Sequence, residues 1–113
     1  MGVTKFDELG RLTLPAEVAQ QFGLDESSRL LITVAVTEKR MILSPTEEEP
    51  QLVQMQEQMQ QHIDKWRYIR ALDDQRRVVL PRSMREWLGW APDTNLKIIL
   101  DNDAIFLEAA SLN

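Results

Sequence analysis

Six arginines fall between residues 67 and 85 of this 113-residue chain, and their chemistry stands out first. They are Arg67, Arg70, Arg76, Arg77, Arg82 and Arg85, and the same stretch holds only two acidic residues, Asp73 and Asp74. A guanidinium is planar and permanently charged, so it can neutralise phosphate and form paired hydrogen bonds to base edges. Because the whole chain has a net charge of −5, two interpretations stay open: a face that binds a polyanion, or a solvated surface of salt bridges.

Catalytic and metal-binding chemistry finds little support in the sequence. The absence of cysteine removes disulfides and the commonest zinc ligand. His62 is the single histidine and lies in a glutamine-rich stretch. Ser27, Ser28 and Ser83 have no histidine nearby in the repeated motif with which to form a nucleophile–base pair. We therefore predict a protein that is not an enzyme and that has no catalytic residue, metal or cofactor.

The arginine-rich stretch belongs to the second copy of an internal repeat. A shift of 66 residues aligns residues 6–34 with residues 72–100 without a gap and gives seven identities among 29 positions. These are Asp7/Asp73, Arg11/Arg77, Leu14/Leu80, Pro15/Pro81, Gly23/Gly89, Leu30/Leu96 and Ile32/Ile98. Most of the other pairs keep their polarity, so the sequence predicts two tandem copies of one folding unit.

Each copy predicts the same short elements. An alternating run (11–14 and 77–80) is typical of a strand. The proline that follows favours a helix start, over 15–22 and 81–88, and the glycine after it is typical of a left-handed helix end. Two further runs in each copy predict a hairpin, with the first hairpin about two residues longer. One copy buries too little apolar surface to fold alone, so we expect the two copies to share one core.

The sequence between the copies differs in composition. Six glutamines lie between residues 51 and 61, and Leu52, Met55, Met59 and Trp66, with Ile63 beside them, fall near helical spacing. We predict a helix from about 50 to 65, whose apolar stripe packs either on its own barrel or on another chain. The predicted organisation is a first repeat at 1–45, a linker helix at 46–66 and a second repeat at 67–113.

The segments "DELGRLTLP…FGL" and "LDDQRRVVLP…MREWLG" resemble the AbrB/MazE/SpoVT superfamily of swapped-hairpin barrels. The shared pattern is an acidic turn, Gly-Arg, a strand ending in proline, a short helix, glycine and a hairpin. The resemblance covers both repeats, and tandem copies in one chain are similar to the MraZ branch. It implies a mainly β fold with short helices, in which two tandem repeats form a pseudo-two-fold swapped-hairpin barrel. It also implies a bacterial-type DNA-binding transcription regulator with double-stranded DNA as its partner.

The resemblance also implies which residues contact DNA. Its motif arginines correspond to Arg11 and Arg77, the basic residues before the acidic turn to Lys5 and Arg70, and a helix arginine to Arg85. With their neighbours, the predicted DNA-binding residues are Lys5, Arg11, Arg70, Arg76, Arg77, Arg82 and Arg85. We expect Arg77→Ala or Arg85→Ala to weaken DNA binding with little loss of thermal stability.

The two copies differ at this predicted surface. Arg76 stands where the first repeat has Gly10, so a positive φ there is expected to be strained or absent. Ala19 stands where the second repeat has Arg85. The two DNA-facing halves are therefore not expected to be equivalent.

Location and assembly are predicted from what the sequence contains and lacks. No run reaches the roughly 18 apolar residues of a membrane span, and no signal pattern is present. We expect a cytoplasmic, nucleoid-associated protein with no membrane partner. A homo-oligomer through residues 50–66 or through Trp87 and Trp90 is possible on this sequence. The alternative function is a protein-interaction or oligomerisation module, antitoxin-like or a scaffold, that does not bind DNA.

Overall fold

The computed structural model of the chain describes residues 3–47 and 67–110. In chain order its elements are β1 (Val3–Thr4), β2 (Arg11–Thr13), α1 (Ala16–Phe22), β3 (Arg29–Ala35), β4 (Arg40–Thr46), β5 (Tyr68–Ala71), β6 (Arg77–Val79), α2 (Arg82–Leu88), β7 (Leu96–Leu100) and β8 (Ile105–Ala109). The predicted linker helix at 50–65 lies outside the described residues. The mainly β fold with short helices is confirmed.

The strands form two antiparallel sheets in which each repeat completes the other. The larger sheet has the order β1-β7-β8-β4-β3-β5, so the first strand of each repeat pairs with the hairpin of the other. The registers obey the 66-residue shift: Val3 lies opposite Lys97, and Leu31 lies opposite Ile69. This pairing follows the pseudo-two-fold, swapped pattern expected of the two repeats, and both partners of the exchange come from one chain.

The smaller sheet is a two-stranded ribbon made by β2 and β6. Leu12 lies opposite its own repeat equivalent, Val78, which places the pseudo-two-fold axis at that pair. The N–H of Leu14 donates to the carbonyl of Arg76 at 2.9 Å, and the N–H of Leu80 donates to the carbonyl of Gly10 at 2.8 Å. These two bonds close the two ends of the pairing. We call residues 7–15 and 73–81 together the ribbon.

The two helices begin and end as the sequence predicts. Pro15 and Pro81 are the N-caps, with φ of −59° and −58°. Gly23 and Gly89 end the helices in the left-handed conformation, where the missing Cβ avoids a steric penalty. Each helix is only seven residues long, so its position depends on the apolar side chains that it buries.

One hydrophobic core lies between the ribbon, the helices and the inner face of the six-stranded sheet. Its fully buried members come from both repeats and include Leu12, Leu14, Val18, Leu30, Ile32, Val78, Leu80, Met84, Leu96 and Ile98. No polar or charged side chain is buried among the described residues. Trp90 also belongs to this core and is only 7% exposed. Packing in its own barrel is therefore the role of Trp90, whereas Trp87 is 46% exposed, and an oligomer contact through Trp87 stays a prediction.

Two further features of the described residues bear on function. None of their helices has the length and apolar character needed to span a membrane. Within the same residues, no group of three or more histidine, aspartate or glutamate side chains is arranged to hold a metal ion.

Candidate nucleic-acid interface

The outward face of the ribbon carries one arginine from each repeat. Arg11 lies opposite Val79 and Thr13 lies opposite Arg77. Paired residues of an antiparallel ladder share a face, and the residues between them point into the core. The two arginines are therefore diagonal neighbours on one outward face, related by the pseudo-two-fold axis. The repeated "GRLTLP"-type run thus brings together two predicted site residues that are 66 positions apart.

Each of these arginines is held by the aspartate four residues earlier. Arg11 Nε donates to Asp7 Oδ2 at 2.6 Å, and the N–H of Arg11 donates to Asp7 Oδ1 at 2.8 Å. The corresponding two bonds from Arg77 to Asp73 have the same lengths. The arginine side chains remain 33% and 25% exposed. Among the described residues, no hydrogen bond uses the Nη atoms of either arginine.

These contacts shift the titration of both carboxylates. The hydrogen bond from the backbone N–H of Arg11 is the largest influence on Asp7, and with the guanidinium it lowers the pKa of that carboxyl. At Asp73 desolvation is the largest influence and raises the pKa. The hydrogen bonds from the N–H and guanidinium of Arg77 and from the N–H of Gln75 outweigh it, so the pKa of Asp73 is also lowered. Both aspartates are thus ionised at neutral pH and orient their arginines.

A third arginine closes the ribbon at the Gly10 end. Arg85, on α2, donates from Nε to the carbonyl of Leu80 at 2.9 Å, and its Cζ lies 5.3 Å from the ring centre of Phe6. Gly10 has φ +83°, and a Cβ built on it would lie 2.7 Å from Arg85 Cζ. Glycine is therefore required here for two reasons, the left-handed backbone and the guanidinium packed against it.

A fourth arginine lies at the opposite end of the ribbon, and it comes from the turn before β6 rather than from a helix. Arg76 donates from Nε to the carbonyl of Leu14 at 3.1 Å, the repeat equivalent of the bond that Arg85 makes. Arg76 takes the place of Gly10 and has φ +61°. Positive φ was expected to be strained or absent at this position, and the structure shows it present at a non-glycine residue, where it costs about 1–2 kcal/mol. Where the second repeat has Arg85, the first has Ala19, which is 5% exposed.

Two of the remaining predicted residues lie beside the first turn of α2. Arg70 donates from Nη1 to the carbonyl of Ile69 at 3.3 Å, and its Cζ lies 5.1 Å from the ring centre of Tyr68. The hydroxyl of Tyr68 is 3.2 Å from Ser83 Oγ. Arg82 has an 84% exposed side chain that pairs with Glu86 at 3.1 Å. Among the described residues, neither arginine donates a hydrogen bond to the ribbon.

Lys5 is exposed and immediately precedes Phe6, the residue over which Arg85 lies. The structure therefore gathers Arg11, Arg76, Arg77 and Arg85 at the ribbon and places the other three predicted residues around it.

Sequence reasoning missed three residues of this surface. The sequence indicates Asp7 as part of an acidic turn and Asp73 as a partner in a solvated, salt-bridged surface, yet both position the outward arginines. Their i, i+4 spacing to an arginine in both copies was the available signal. Thr13 went unnoticed because an exposed threonine in an alternating run carries no signal of its own. It fills the outward face opposite Arg77.

One comparison with known proteins agrees with the family resemblance. The family model described as "Antidote-toxin recognition MazE, bacterial antitoxin" matches residues 3–51. The solution structure of PHS018 from Pyrococcus horikoshii is similar at 15% identity and a TM-score of 0.49, covering 94% of this chain and 83% of that one. The comparison with curated proteins gave no match. The family-model match covers the first repeat and the beginning of the sequence between the repeats. Residues 3–51 of the chain are therefore similar to the MazE antitoxin family.

Proposed function

We propose that this protein is a DNA-binding transcription regulator that contacts duplex DNA with the outward face of the ribbon. The observation that carries the proposal is the pair Arg11 and Arg77, diagonal neighbours on one exposed two-stranded ribbon. The major groove of B-DNA admits such a ribbon, and a guanidinium held by its Nε keeps a planar fork for a guanine edge or a phosphate. Asp7 and Asp73 supply that hold in both repeats.

The charges of the ribbon limit how strong the electrostatic part of binding can be. The ribbon holds Arg11, Arg76 and Arg77 against four acidic residues, and α2 adds Arg85. If all four guanidiniums met phosphates, the slope of log K against log salt would be about −4 at its steepest. A protein of net charge −5 is therefore expected to bind random DNA weakly and to depend on base and shape readout for its affinity.

The test adds one negative charge to the centre of the face without touching the core. Thr13→Asp places a carboxylate on the outward face opposite Arg77. Thr37→Asp makes the same change in the exposed turn between β3 and β4 and serves as the matched control. Both variants are titrated with duplex DNA, random or selected from a library, at two salt concentrations. We expect Thr13→Asp to weaken binding about tenfold, as one unfavourable contact of about 1.4 kcal/mol does, and Thr37→Asp to change it little.

Equal weakening by both substitutions would contradict the ribbon as the contact face. No binding to any duplex, even at low salt, would contradict DNA binding itself.

An absence of DNA binding would favour a protein-binding module of the antitoxin type. One structural observation supports this alternative. Leu9 and Val79 lie on the same ribbon and are 66% and 41% exposed. Exposed apolar side chains among paired charges are common at protein interfaces. The family description of residues 3–51 also names toxin recognition.

A further inference from the structure

The turn before each ribbon strand is built around one aspartate side chain. We call residues 7–10 the first turn and residues 73–76 the second turn. In the first turn, Asp7 Oδ1 accepts a hydrogen bond from the N–H of Leu9 at 3.0 Å and another from the N–H of Arg11 at 2.8 Å. The third residue of the turn, Leu9, is therefore held next to the outward arginine of its repeat.

The second turn repeats this arrangement with a different third residue. Asp73 Oδ1 accepts hydrogen bonds from the N–H groups of Gln75 and Arg77, each at 2.8 Å. The hydrogen bonds of the two turns thus correspond, but the second turn presents an amide where the first presents Leu9. Leu9 is 66% exposed, more than any other large apolar side chain among the described residues, and Gln75 is exposed as well.

Charge does not distinguish the two turns. Each turn holds two acidic residues, and each has one guanidinium beside it, from Arg85 at the first turn and from Arg76 at the second. Contacts to phosphate carry no sequence information, so these groups give neither turn a preference for particular bases. The main chemical difference between the turns is the one between Leu9 and Gln75.

The turns lie at opposite ends of the ribbon, because its two strands are antiparallel. The carbonyl of Arg76 accepts from the N–H of Leu14, so Arg76 lies level with Leu14, four residues along the chain from Gly10. At a rise of about 3.3 Å per residue, the two turns are at least about 13 Å apart along the ribbon, or about four base pairs of DNA.

We infer that the duplex site recognised by this protein is not a palindrome, because Leu9 and Gln75 contact different bases at its two flanks. The inference rests on the proposed function. A protein with two-fold symmetry contacts the same bases on both sides of its axis, so its site is a palindrome. Arg11 and Arg77 keep that symmetry at the centre of the ribbon. A glutamine amide pairs with the edge of adenine in the major groove, whereas an apolar side chain contacts the methyl group of thymine.

Affinity cleavage with the full-length chain tests this inference, and the absence of native cysteine makes it direct. A duplex is first selected by the protein from a random library. Glu8→Cys and Asp74→Cys lie at equivalent exposed positions, one in each turn, and remove the same charge. Each carries an iron chelate that cuts nearby DNA. We expect the selected sequence to differ from its reverse complement, with each conjugate cutting one flank and the two conjugates cutting opposite flanks.

Alanine variants assign the recognition to the two side chains. Gln75→Ala is expected to reduce the discrimination between the selected base pair and its replacement about tenfold, only in the flank that the Asp74→Cys conjugate cuts. Leu9→Ala is expected to reduce discrimination only in the flank that the Glu8→Cys conjugate cuts. Both side chains are exposed, so neither change should alter folding.

The inference is wrong if the selected sequence equals its reverse complement, if no sequence is selected, or if each conjugate cuts both flanks equally or neither. It is also wrong if the two alanine variants change the same flank or change none. In all these cases the protein still binds duplex DNA, so the proposed function stands. Failure to bind any duplex would overturn the proposed function and this inference together.

Discussion

At the scale of residues, two equivalent sites beside the ribbon each hold one guanidinium. The two arginines come from different positions of the repeat. In one half the helix supplies it, and Arg85 packs over Gly10 to reach the carbonyl of Leu80. In the other half the turn supplies it, and Arg76 reaches the carbonyl of Leu14 while Ala19 stands where the helix arginine would be. The differences between the copies at this site are therefore coupled, and each half keeps an arginine hydrogen bond to the carbonyl of the residue that follows its ribbon strand.

This coupling predicts a non-additive effect of Gly10→Ala on stability. The substitution must adopt positive φ, at about 1–2 kcal/mol, and must also displace Arg85 and its hydrogen bond, at about a further 1 kcal/mol. Gly23→Ala is the matched control, because Gly23 also has positive φ but no atom within 4 Å of a built Cβ. Free energies of unfolding in denaturant should show the larger loss for Gly10→Ala. In an Arg85→Ala background the two losses should become equal, and a difference that persists would contradict the coupling.

The same contact changes what is expected of Arg85→Ala alone. The sequence predicts an effect on DNA binding with little effect on thermal stability, since an arginine in a basic cluster is expected to point to solvent. The structure gives Arg85 a carbonyl to cap and an aromatic ring to cover, so stability should fall as well. Thr13→Asp is the better probe of the DNA-facing surface for this reason.

The paired aspartates predict a dependence of stability on pH. The folded chain holds the pKa of Asp7 and Asp73 below the ordinary value of 3.8, so the unfolded chain binds more protons as pH falls below that value. The stabilisation is complete above about pH 4 and is lost as pH falls through the lowered pKa. Asp73→Asn should flatten the fall in melting temperature between pH 4 and pH 2.

Asp74→Asn is the control, because it removes the same charge from the next residue, whose carboxylate makes no hydrogen bond among the described residues. An equal flattening by both substitutions would contradict the assignment to the Asp73–Arg77 pair.

At the scale of elements, the ribbon predicts unequal losses of stability when two adjacent valines are replaced by alanine. Val78 points into the core and has no exposed surface, whereas Val79 points outward and is 41% exposed. Val78→Ala removes buried methyl groups and is expected to cost about 1–2 kcal/mol, and Val79→Ala less than about 0.5 kcal/mol. Chemical denaturation of both variants measures the difference. Similar losses would mean that β6 does not hold the register with β2 in solution.

Much of this level of structure was readable from the sequence. The proline, seven residues and glycine of each helix fixed its bounds, because both residue types have backbone preferences that need no tertiary contact. The alternation at 11–14 and 77–80 likewise indicated which side chains point inward. What could not be read was the capping of the Leu14 carbonyl by Arg76 of the other repeat. That contact depends on which ends meet across the axis, and no local pattern encodes it.

At the scale of the whole molecule, the exchange of strands makes the repeats interdependent. β1 completes the hairpin of the second repeat, β5 completes that of the first, and both repeats contribute to one core. The sequence predicted this sharing from the small size of one copy. It could not predict that one chain provides both partners, because spacing alone does not distinguish exchange within a chain from exchange between chains.

Interdependence predicts that damage to the first repeat unfolds the second. Leu14→Ala empties a fully buried site in the first repeat and is expected to cost about 2–5 kcal/mol. All three tryptophans lie at residue 66 or beyond, so none of them belongs to the first repeat. The midpoint of unfolding followed by tryptophan fluorescence should fall as far as the midpoint followed by far-ultraviolet circular dichroism.

Leu9→Ala, the same substitution at a 66% exposed site of the first repeat, should leave both midpoints nearly unchanged. A tryptophan transition that stays in place in Leu14→Ala would show that the repeats unfold separately, and the shared core would then have to be abandoned.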